Sequence, residues 1–216
     1  MSAFITFEGP DGSGKSTQIH LLAEFLRGQG YDVLTTREPG GTPIGEQIRD
    51  VLHSLHNKAM SPRAEILLYC ASRAQLVEQL IRPHLATGGV VLCDRYADST
   101  LAYQGYGHGL PLLTLRMILG FATGGLRPDV TIYLDVESDE GLQRRKASGD
   151  EWNRMDEQSL DFHRRVRLGY LALAHDQPQR WRVLDGARPV DLIAEDIRAI
   201  VAERLADWKL KPASGD

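Results

Sequence analysis

The stretch FITFEGPDGSGKST, residues 4–17, constrains the fold more than any other part of the sequence. A short apolar run comes first, Gly9 to Ser16 then match the pattern G-x-x-x-x-G-K-[ST], and residues of helical period follow. A glycine-rich turn between a strand and a helix aims successive backbone N–H groups at phosphate oxygens, and the helix dipole adds positive potential. The stretch therefore predicts a phosphate-binding turn in an α/β fold.

The turn predicts a site for a nucleoside triphosphate, formed by Gly9, Pro10, Asp11, Gly12, Ser13, Gly14, Lys15, Ser16 and Thr17. Lys15 is expected to reach the β- and γ-phosphates of ATP, and the Ser16 hydroxyl is expected to ligate Mg²⁺. The alternative, a glycine-rich surface turn, does not explain an eight-residue match in this context. The motif leaves the reaction open, because G proteins, ATP-driven motors and small-molecule kinases share it. The sequence contains neither a guanine-reading N-K-x-D nor an LSGGQ-like segment.

Apolar, β-branched runs alternate with helical patterns along the whole chain. The predicted strands cover 4–7, 31–36, 90–93, 130–136 and 181–184, and Ser61-Pro62 is typical of a helix start. This alternation predicts a P-loop NTPase fold of three layers, α/β/α, around a five-stranded parallel sheet. We expect one domain over 1–210, a short mobile lid over about 142–158 and a frayed tail at 211–216.

Composition excludes several partners. The chain has 216 residues and a net charge of −4, which gives no general attraction to nucleic acid or to an anionic membrane. The first residues lack the basic and apolar regions of a signal peptide, and no apolar run has membrane length. Cys70 and Cys93 lie in apolar runs, which indicates buried thiols in a reducing compartment. We expect a cytoplasmic protein with no membrane or nucleic-acid partner.

Three further segments identify a possible second substrate: TREPGGTPIGEQIR at 36–49, ASRAQ at 71–75 and CDRYADSTLAYQG at 93–105. Together with the phosphate-binding turn they closely resemble the bacterial thymidylate kinases, over nearly the whole chain. The resemblance implies transfer of the γ-phosphate of ATP to dTMP, giving dTDP and ADP as a step in dTTP synthesis. It also implies a homodimer packed through helices, for which the apolar helix faces at 44–55 and 64–81 are candidates, although these faces also suit a core.

Asp94 and Arg95 follow the apolar run at 90–93. A carboxylate at the end of a buried strand can reach Mg²⁺ beside the phosphate-binding turn. The planar fork of an arginine suits two oxygens of a monophosphate, and the resemblance implies that Arg95 grips dTMP. A structural ion pair at the strand end is the alternative for these two residues.

The resemblance also implies a nucleoside pocket. It places Tyr69 on the thymine ring and Arg73 at its edge, and a spacing of four puts both on one helix face. Thr100, Tyr103 and Gln104 match a segment that lines this pocket in the family. Gln104 offers both a donor and an acceptor to the base, and a bulky Tyr103 near the sugar disfavours a ribose 2′-OH. Ordinary core packing for Tyr69 and a solvated surface for the others are the alternatives.

The flanks of the acceptor site rest on the same resemblance. Glu38, Pro39 and Arg49 match the loop and helix beside the monophosphate, and Asp11 matches an acidic residue that contacts the sugar 3′-OH. A solvent-facing helix arginine is nearly as good an interpretation of Arg49. Asp11 also suits a simple turn.

The variable positions of the phosphate-binding turn, 10–13, contain no cation, although phosphoryl transfer depends on neutralising the moving group. The polar, glycine-punctuated segment 142–158 is the expected source of that charge. By family position Arg144 lies against adenine or the ATP phosphates, and we hypothesise that Arg154 stabilises the transition state with Asp156 orienting it. Arg145 and Lys146 are weaker candidates, because charged runs are commonly solvated helices. LDGARP, at 184–189, is expected near adenine.

The acceptor oxygen of dTMP is already anionic, so no general base is assigned, and the seven histidines show no metal-ligand spacing. Two other functions stay open. One keeps ATP but uses another nucleoside monophosphate, against which Arg73 and Gln104 argue. The other is a nucleotide-dependent switch, against which the lid arginines and the segment at 93–105 argue, since a switch needs only one nucleotide.

Overall fold

Five parallel strands form the centre of the computed structural model, which describes residues 2–147, 149 and 152–207. The strands are β1 Ala3–Glu8, β2 Val33–Arg37, β3 Val90–Asp94, β4 Val130–Asp135 and β5 Trp181–Asp185. Their order across the sheet is β2-β3-β1-β4-β5, and every neighbouring pair is parallel. The predicted sheet is confirmed, with β2 starting two residues later than expected. The expected tail at 211–216 and positions 148, 150 and 151 of the predicted lid lie outside the described residues.

Helices cover both faces of the sheet. They are α1 Lys15–Gly28, α2 Pro43–His53, α3 Pro62–Leu76, α4 Arg82–Ala86, α5 Ala97–Thr100, α6 Leu112–Thr123, α7 Ser138–Ala147, α8 Leu160–Asp176 and α9 Val190–Asp207. A π-helical segment, Val77–Ile81, joins α3 to α4, and a second, Leu101–Gly107, continues α5. The Ser61 hydroxyl accepts a hydrogen bond from the Ala64 amide, so the predicted start of α3 is confirmed. Within the described ranges, no helix combines the length and the apolar composition that crossing a bilayer requires.

Burial of apolar side chains on both sides of the sheet holds these layers together. On one side β1 and β4 pack against Leu22 and Leu26 of α1 and Ile197 of α9. On the other side Tyr133 of β4 packs against α8, where its ring stacks on Tyr170 at 5.0 Å. Each fully buried aliphatic or aromatic side chain stabilises the fold by roughly 1.5–3 kcal/mol. Both free cysteines lie in this interior, as predicted.

The apolar face predicted for α2 is only partly core. Leu52 is fully buried, whereas Ile44 and Val51 are 51% and 44% exposed. Leu67 on the neighbouring α3 is 60% exposed, and Phe121 on α6 is 92% exposed. The helices themselves are confirmed, but these apolar side chains face outward from the chain.

The sheet brings its carboxyl-terminal ends to one edge. Phe7 of β1 and Arg37 of β2 both lie beside Asp94 of β3 in the sheet register. In an open parallel sheet the loops beyond these ends form a crevice in which ligands bind. The phosphate-binding turn therefore lies beside residues 38–41 and beside Arg95.

Candidate active site

A cavity of about 930 Å³ opens at this edge of the sheet. Its walls come from the phosphate-binding turn, β2 and β3, α2, α3, the π-helical segment after α5, and α7. Most of the predicted site residues line it: Asp11, Gly12, Gly14, Lys15, Ser16, Thr17, Glu38, Pro39, Arg49, Tyr69, Arg73, Asp94, Arg95, Thr100, Tyr103, Gln104 and Arg144. Residues more than 130 positions apart in the chain thus share one cavity.

The phosphate-binding turn needs its glycines for two reasons. Gly12 and Gly14 have φ angles of +80° and +91°, which side-chain-bearing residues rarely adopt. A Cβ on Gly12 would also lie 2.5 Å from the Gly141 carbonyl oxygen, so glycine lets α7 pack directly on the turn. The Lys15 ammonium donates hydrogen bonds to the carbonyl oxygens of Gly9 at 3.1 Å and Pro10 at 2.8 Å. Burial lowers the pKa of Lys15.

Ser16 and Asp94 form the predicted metal pair. The Ser16 hydroxyl donates to Asp94 Oδ2 at 3.0 Å. Asp94 Oδ1 is buried and has no hydrogen-bond partner among the described residues. A hydroxyl and a carboxylate with an uncommitted oxygen are the hard ligands that suit Mg²⁺, which usually binds one or two protein groups together with phosphate and water. No cluster of three or more His, Cys, Asp or Glu side chains able to hold a metal occurs in the described part of the chain. The residues fit a magnesium ion shared with a nucleotide.

Arg95 is held in an unusual backbone conformation. Its φ angle is +67°, in the left-handed region that an arginine enters only at an energetic cost. Its guanidinium donates to Asp11 Oδ1 at 2.9 Å and lies 5.1 Å from the centroid of the Tyr103 ring. Burial alone would raise the pKa of Asp11, but the charges of Arg95 and Lys15 hold it well below its usual range. A cation is therefore fixed in the cavity beside Asp11 of the phosphate-binding turn.

Glu8 forms hydrogen bonds with groups that surround Arg95, and the sequence did not identify it as a site residue. Its Oε1 accepts a hydrogen bond from the Tyr96 amide at 2.9 Å. Its Oε2 accepts from the Ser99 hydroxyl at 2.6 Å and from the Tyr170 hydroxyl at 2.9 Å. Those two hydroxyls in turn lie 3.4 Å and 3.3 Å from Arg95 Nη1. Burial, aided by Asp98, raises the pKa of Glu8 to about 7. The signal in the sequence that could have identified Glu8 is an acidic residue at the end of an apolar strand.

The predicted base-reading arginine is buried in a network of its own. Arg73 is 1% exposed, and its Nε donates to Glu38 Oε2 at 2.7 Å. Its two Nη atoms donate to the Thr100 hydroxyl at 3.2 Å and the Tyr96 carbonyl at 3.1 Å. Burial raises the pKa of Glu38, and Arg73 opposes that rise. Tyr69, half-buried one turn earlier on α3, lines the same wall of the cavity. Glu38 thus holds Arg73 at the wall.

Arg49 contacts the loop that it was predicted to flank. Its Nη1 donates to the Pro39 carbonyl at 2.9 Å, and its side chain lines the cavity, so it is not a solvent-facing helix residue. Arg37 and His53 also line the cavity and were missed, because neither stands out in the sequence from its neighbours. Burial, with the Arg49 charge, lowers the pKa of His53 to about 4. Arg37, Arg49 and Arg95 bring three cations to this cavity, where Arg37 is paired with Glu46 and Arg95 with Asp11.

The lid arginines have different surroundings from those predicted. Arg154 is 6% exposed, donates to the Leu52 carbonyl at 3.0 Å, contacts Glu65 at 2.5 Å and does not line the cavity. Arg145 does line the cavity, with its side chain only 13% exposed. Asp156 contacts Arg145 at 3.2 Å. The expectation of a solvated Arg145 is therefore wrong, as is the assignment of Asp156 to Arg154.

A second, smaller cleft of about 360 Å³ lies on the other side of the phosphate-binding turn. Ser13 of the turn and Ala187 and Arg188 of the predicted adenine segment line it. Arg144 lines both cavities and donates to the Gly186 carbonyl at 2.8 Å. The guanidinium of Arg144 thus bridges the helix α7 and the loop after β5.

One anion can lie in the glycine turn and another can bind at Arg95 in the same cavity, which the metal pair also lines. Such a site, at the carboxyl edge of a parallel sheet, defines a P-loop phosphotransferase. Residues 7–197 match the family model described as thymidylate kinase. The chain belongs to the thymidylate kinase family.

Individual relatives agree with this placement. The chain is 54% identical over 217 residues to the thymidylate kinase of Roseiflexus sp. (strain RS-1), with 95% of this chain and 96% of the relative covered. It is 52% identical over 201 residues to the thymidylate kinase of Deinococcus radiodurans, with coverages of 93% and 97%. It is also similar to the crystal structure of thymidylate kinase from Ehrlichia chaffeensis, with a TM-score of 0.77, 32% identity and coverages of 93% and 98%.

Proposed function

We propose that the protein transfers the γ-phosphate of ATP to dTMP, giving dTDP and ADP as a step in dTTP synthesis. The observation that carries this proposal is the presence of two separate cationic groups in one cavity, Lys15 in the glycine turn and Arg95 directly after β3. A switch protein needs only the first of these. The relatives named thymidylate kinase support dTMP as the second ligand.

The donor half of the site is built to bind a triphosphate and its metal. The backbone of the turn and the amino end of α1 favour the β- and γ-phosphates, and Lys15 adds a charge whose hydrogen bonds go to the Gly9 and Pro10 carbonyl oxygens. Ser16 and Asp94 would hold Mg²⁺, which supplies charge neutralisation to the phosphate oxygens when it is bound. Ala187 and Arg188 line the cleft beside the turn, which supports them as neighbours of adenine.

The acceptor half combines arginine side chains with aromatic and polar ones. Arg95, with Arg49 and Arg37, faces the monophosphate, and Pro39 closes that wall. Asp11, whose Oδ1 accepts a hydrogen bond from Arg95, is the residue that we expect to accept one from the sugar 3′-OH. This arrangement binds the acceptor phosphate with its oxygens toward the phosphate-binding turn.

The nucleoside lies deeper in the same pocket. Tyr103 borders the sugar, and Tyr69 offers its ring to the thymine face. Arg73, Thr100 and Gln104 line the wall that the base edge would meet.

The chemistry requires alignment and neutralisation and no proton abstraction, because the attacking phosphate oxygen is already anionic. Its electron pair forms the new P–O bond while the bond to the β-phosphate oxygen breaks and ADP leaves. Arg144 and Arg154 are the cations predicted from the sequence. The geometry favours Arg145 as a third candidate, because its backbone lies against Gly12 of the turn and its side chain lines the cavity.

Two substitutions separate these candidates. If Arg145 stabilises the transition state, Arg145→Ala should lower kcat by on the order of 10³-fold, as expected for an arginine finger, with dTMP binding little changed. Arg154→Ala should then act mainly on thermal stability, because it leaves Glu65 buried without its partner. Single-turnover kinetics measures the transfer step directly. A larger loss of kcat in Arg154→Ala than in Arg145→Ala would assign transition-state stabilisation to Arg154.

Coupled ADP release over a panel of nucleoside monophosphates tests the function itself. Turnover confined to dTMP and close pyrimidine analogues is the expected result. Turnover with AMP, GMP or CMP in place of dTMP would contradict the proposal.

We also propose a homodimer that works in the cytoplasm. Ile44 and Val51 of α2 and Leu67 of α3 are apolar and exposed, which supports a helical interface. The two buried free thiols are compatible with a reducing compartment. Light scattering after size exclusion should give twice the chain mass of 24.0 kDa, and Leu67→Glu should halve it. A monomeric wild type would refute the dimer.

A further inference from the structure

Gln104 presents one defined hydrogen-bonding group to the cavity. It is 1% exposed, and its Nε2 donates to Glu65 Oε1 at 2.7 Å. A carboxylate only accepts hydrogen bonds, so the amide must turn its NH₂ group toward Glu65. The Oε1 of Gln104 is then buried and has no hydrogen-bond partner among the described residues. The side chain lines the cavity, so a bound base would meet an acceptor.

Glu65 is itself fixed from the other side. Its Oε2 contacts Arg154 Nη2 at 2.5 Å, and its side chain is 2% exposed. Arg154 in turn donates from Nε to the Leu52 carbonyl at the end of α2. His108 Nε2 lies 3.6 Å from Glu65 Oε1. One carboxylate of α3 therefore joins the predicted lid to the π-helical segment that carries Gln104.

We propose that Glu65 is a positioning residue that locks the Gln104 amide with its oxygen toward the base, and that Arg154 holds Glu65 in place. The proposal rests on the proposed function and assigns to Glu65 the selection of the acceptor base.

Base chemistry explains how the lock selects. Thymine and uracil carry an N–H at N3, which can donate to the Gln104 oxygen. Cytosine has a bare acceptor nitrogen at N3, so it would place two acceptors against each other in a buried site. An amide free to rotate would satisfy either base by exchanging its oxygen and nitrogen. Glu65 removes that freedom, because turning the amide would aim its oxygen at a carboxylate.

The test measures kcat/KM for dTMP, dUMP and dCMP in the wild type and in Glu65→Gln. A glutamine at 65 can donate or accept, so the Gln104 amide is no longer forced into one orientation. We expect the dTMP-to-dCMP ratio to fall on the order of 10-fold to 100-fold, the range of one unsatisfied buried hydrogen bond. The dTMP-to-dUMP ratio and the KM for ATP should not change, because neither depends on N3. An unchanged dTMP-to-dCMP ratio would overturn the proposal.

A second variant covers the case in which Glu65→Gln does not fold. Glu65→Met with Arg154→Met replaces the buried ion pair by apolar side chains, a change that proteins often tolerate. The Gln104 amide is again released, and the same fall in the dTMP-to-dCMP ratio is expected. The ratio compares two acceptors in one variant, so any loss in the transfer step that Arg154 contributes cancels. Glu24→Gln, at an exposed position of α1, is the matched control for the loss of a carboxylate.

A modified substrate tests the contact without changing Glu65. N3-methyl-dTMP lacks the N3 donor, and its kcat/KM penalty relative to dTMP should be at least tenfold smaller in Gln104→Met than in the wild type. Equal penalties would show that Gln104 does not read N3 and would overturn the lock. Failure of the proposed function is separate, because it appears as a wild type without dTMP turnover.

Discussion

Glu8→Gln should change how the stability of the protein depends on pH. Glu8 is fully buried at the end of β1, and burial raises its pKa from 4.5 to about 7. Below pH 4.5 the carboxyl is protonated in both the folded and the unfolded chain. Between these two values only the folded chain keeps the proton, so unfolding releases it and the free energy of unfolding falls as pH rises. Above about pH 7 both states are ionised, and this contribution is lost.

The size of the effect follows from the pKa difference. The rise from 4.5 to about 7 corresponds to about 3 kcal/mol of stability that the wild type loses across this window. Glutamine does not titrate, yet its amide can still form hydrogen bonds with the Tyr96 amide and the Ser99 hydroxyl. The variant should therefore lose about 3 kcal/mol less than the wild type between about pH 5 and about pH 8.

Urea denaturation followed by far-ultraviolet circular dichroism, repeated at several pH values, measures how the free energy of unfolding of each protein depends on pH. Glu24→Gln, whose side chain is 62% exposed on α1, makes the same chemical change on the surface and is the matched control. The difference in the free energy of unfolding between Glu8→Gln and the wild type should vary with pH, whatever its value at any single pH. Parallel stability curves for these two proteins would refute a carboxyl whose pKa is raised by burial.

Two changes in the site give further predictions. Arg95→Lys keeps the charge but loses the planar fork of the guanidinium. In steady-state kinetics the KM for dTMP should therefore rise about 10-fold to 100-fold, while the KM for ATP stays constant. Equal rises in both KM values would contradict the assignment of Arg95 to the dTMP phosphate. Asp94→Asn removes a charged oxygen beside Ser16. In calorimetry it should weaken the Mg²⁺-dependent binding of a non-hydrolysable ATP analogue and leave binding without metal unchanged. Weaker binding without metal would indicate a structural role for Asp94.

Two predictions from the sequence held because they depend on local chemistry. The turn at 9–16 has a spacing typical of one strand–turn–helix geometry, and its glycines have the positive φ angles that this geometry needs. The strands follow from apolar, β-branched runs, and once they are parallel, Asp94 must lie at the same edge as the turn. The Ser16–Asp94 contact was therefore predictable although 78 residues separate the two.

The contacts of the individual lid arginines could not be predicted, for the opposite reason. Arg144, Arg145 and Arg154 share one charged segment, and a charge pattern does not tell which side chain a helix turns inward. Packing of α7 on Gly12 brings Arg145 to the cavity, whereas Arg154 reaches Glu65 on α3. Each contact depends on where two distant elements meet.

The sequence by itself determined the α/β fold and the phosphate-binding turn, because periodicity and motif spacing are properties of short segments. Its resemblance to the thymidylate kinases implied many of the other residues that line the cavity. Only the tertiary structure decided which groups are paired inside it. Glu8 beneath Arg95, and Glu65 between Gln104 and Arg154, are ordinary acidic residues until folding removes water from around them. A buried charge or amide must find its partner across the core, and that partner is set by the packing of the whole chain.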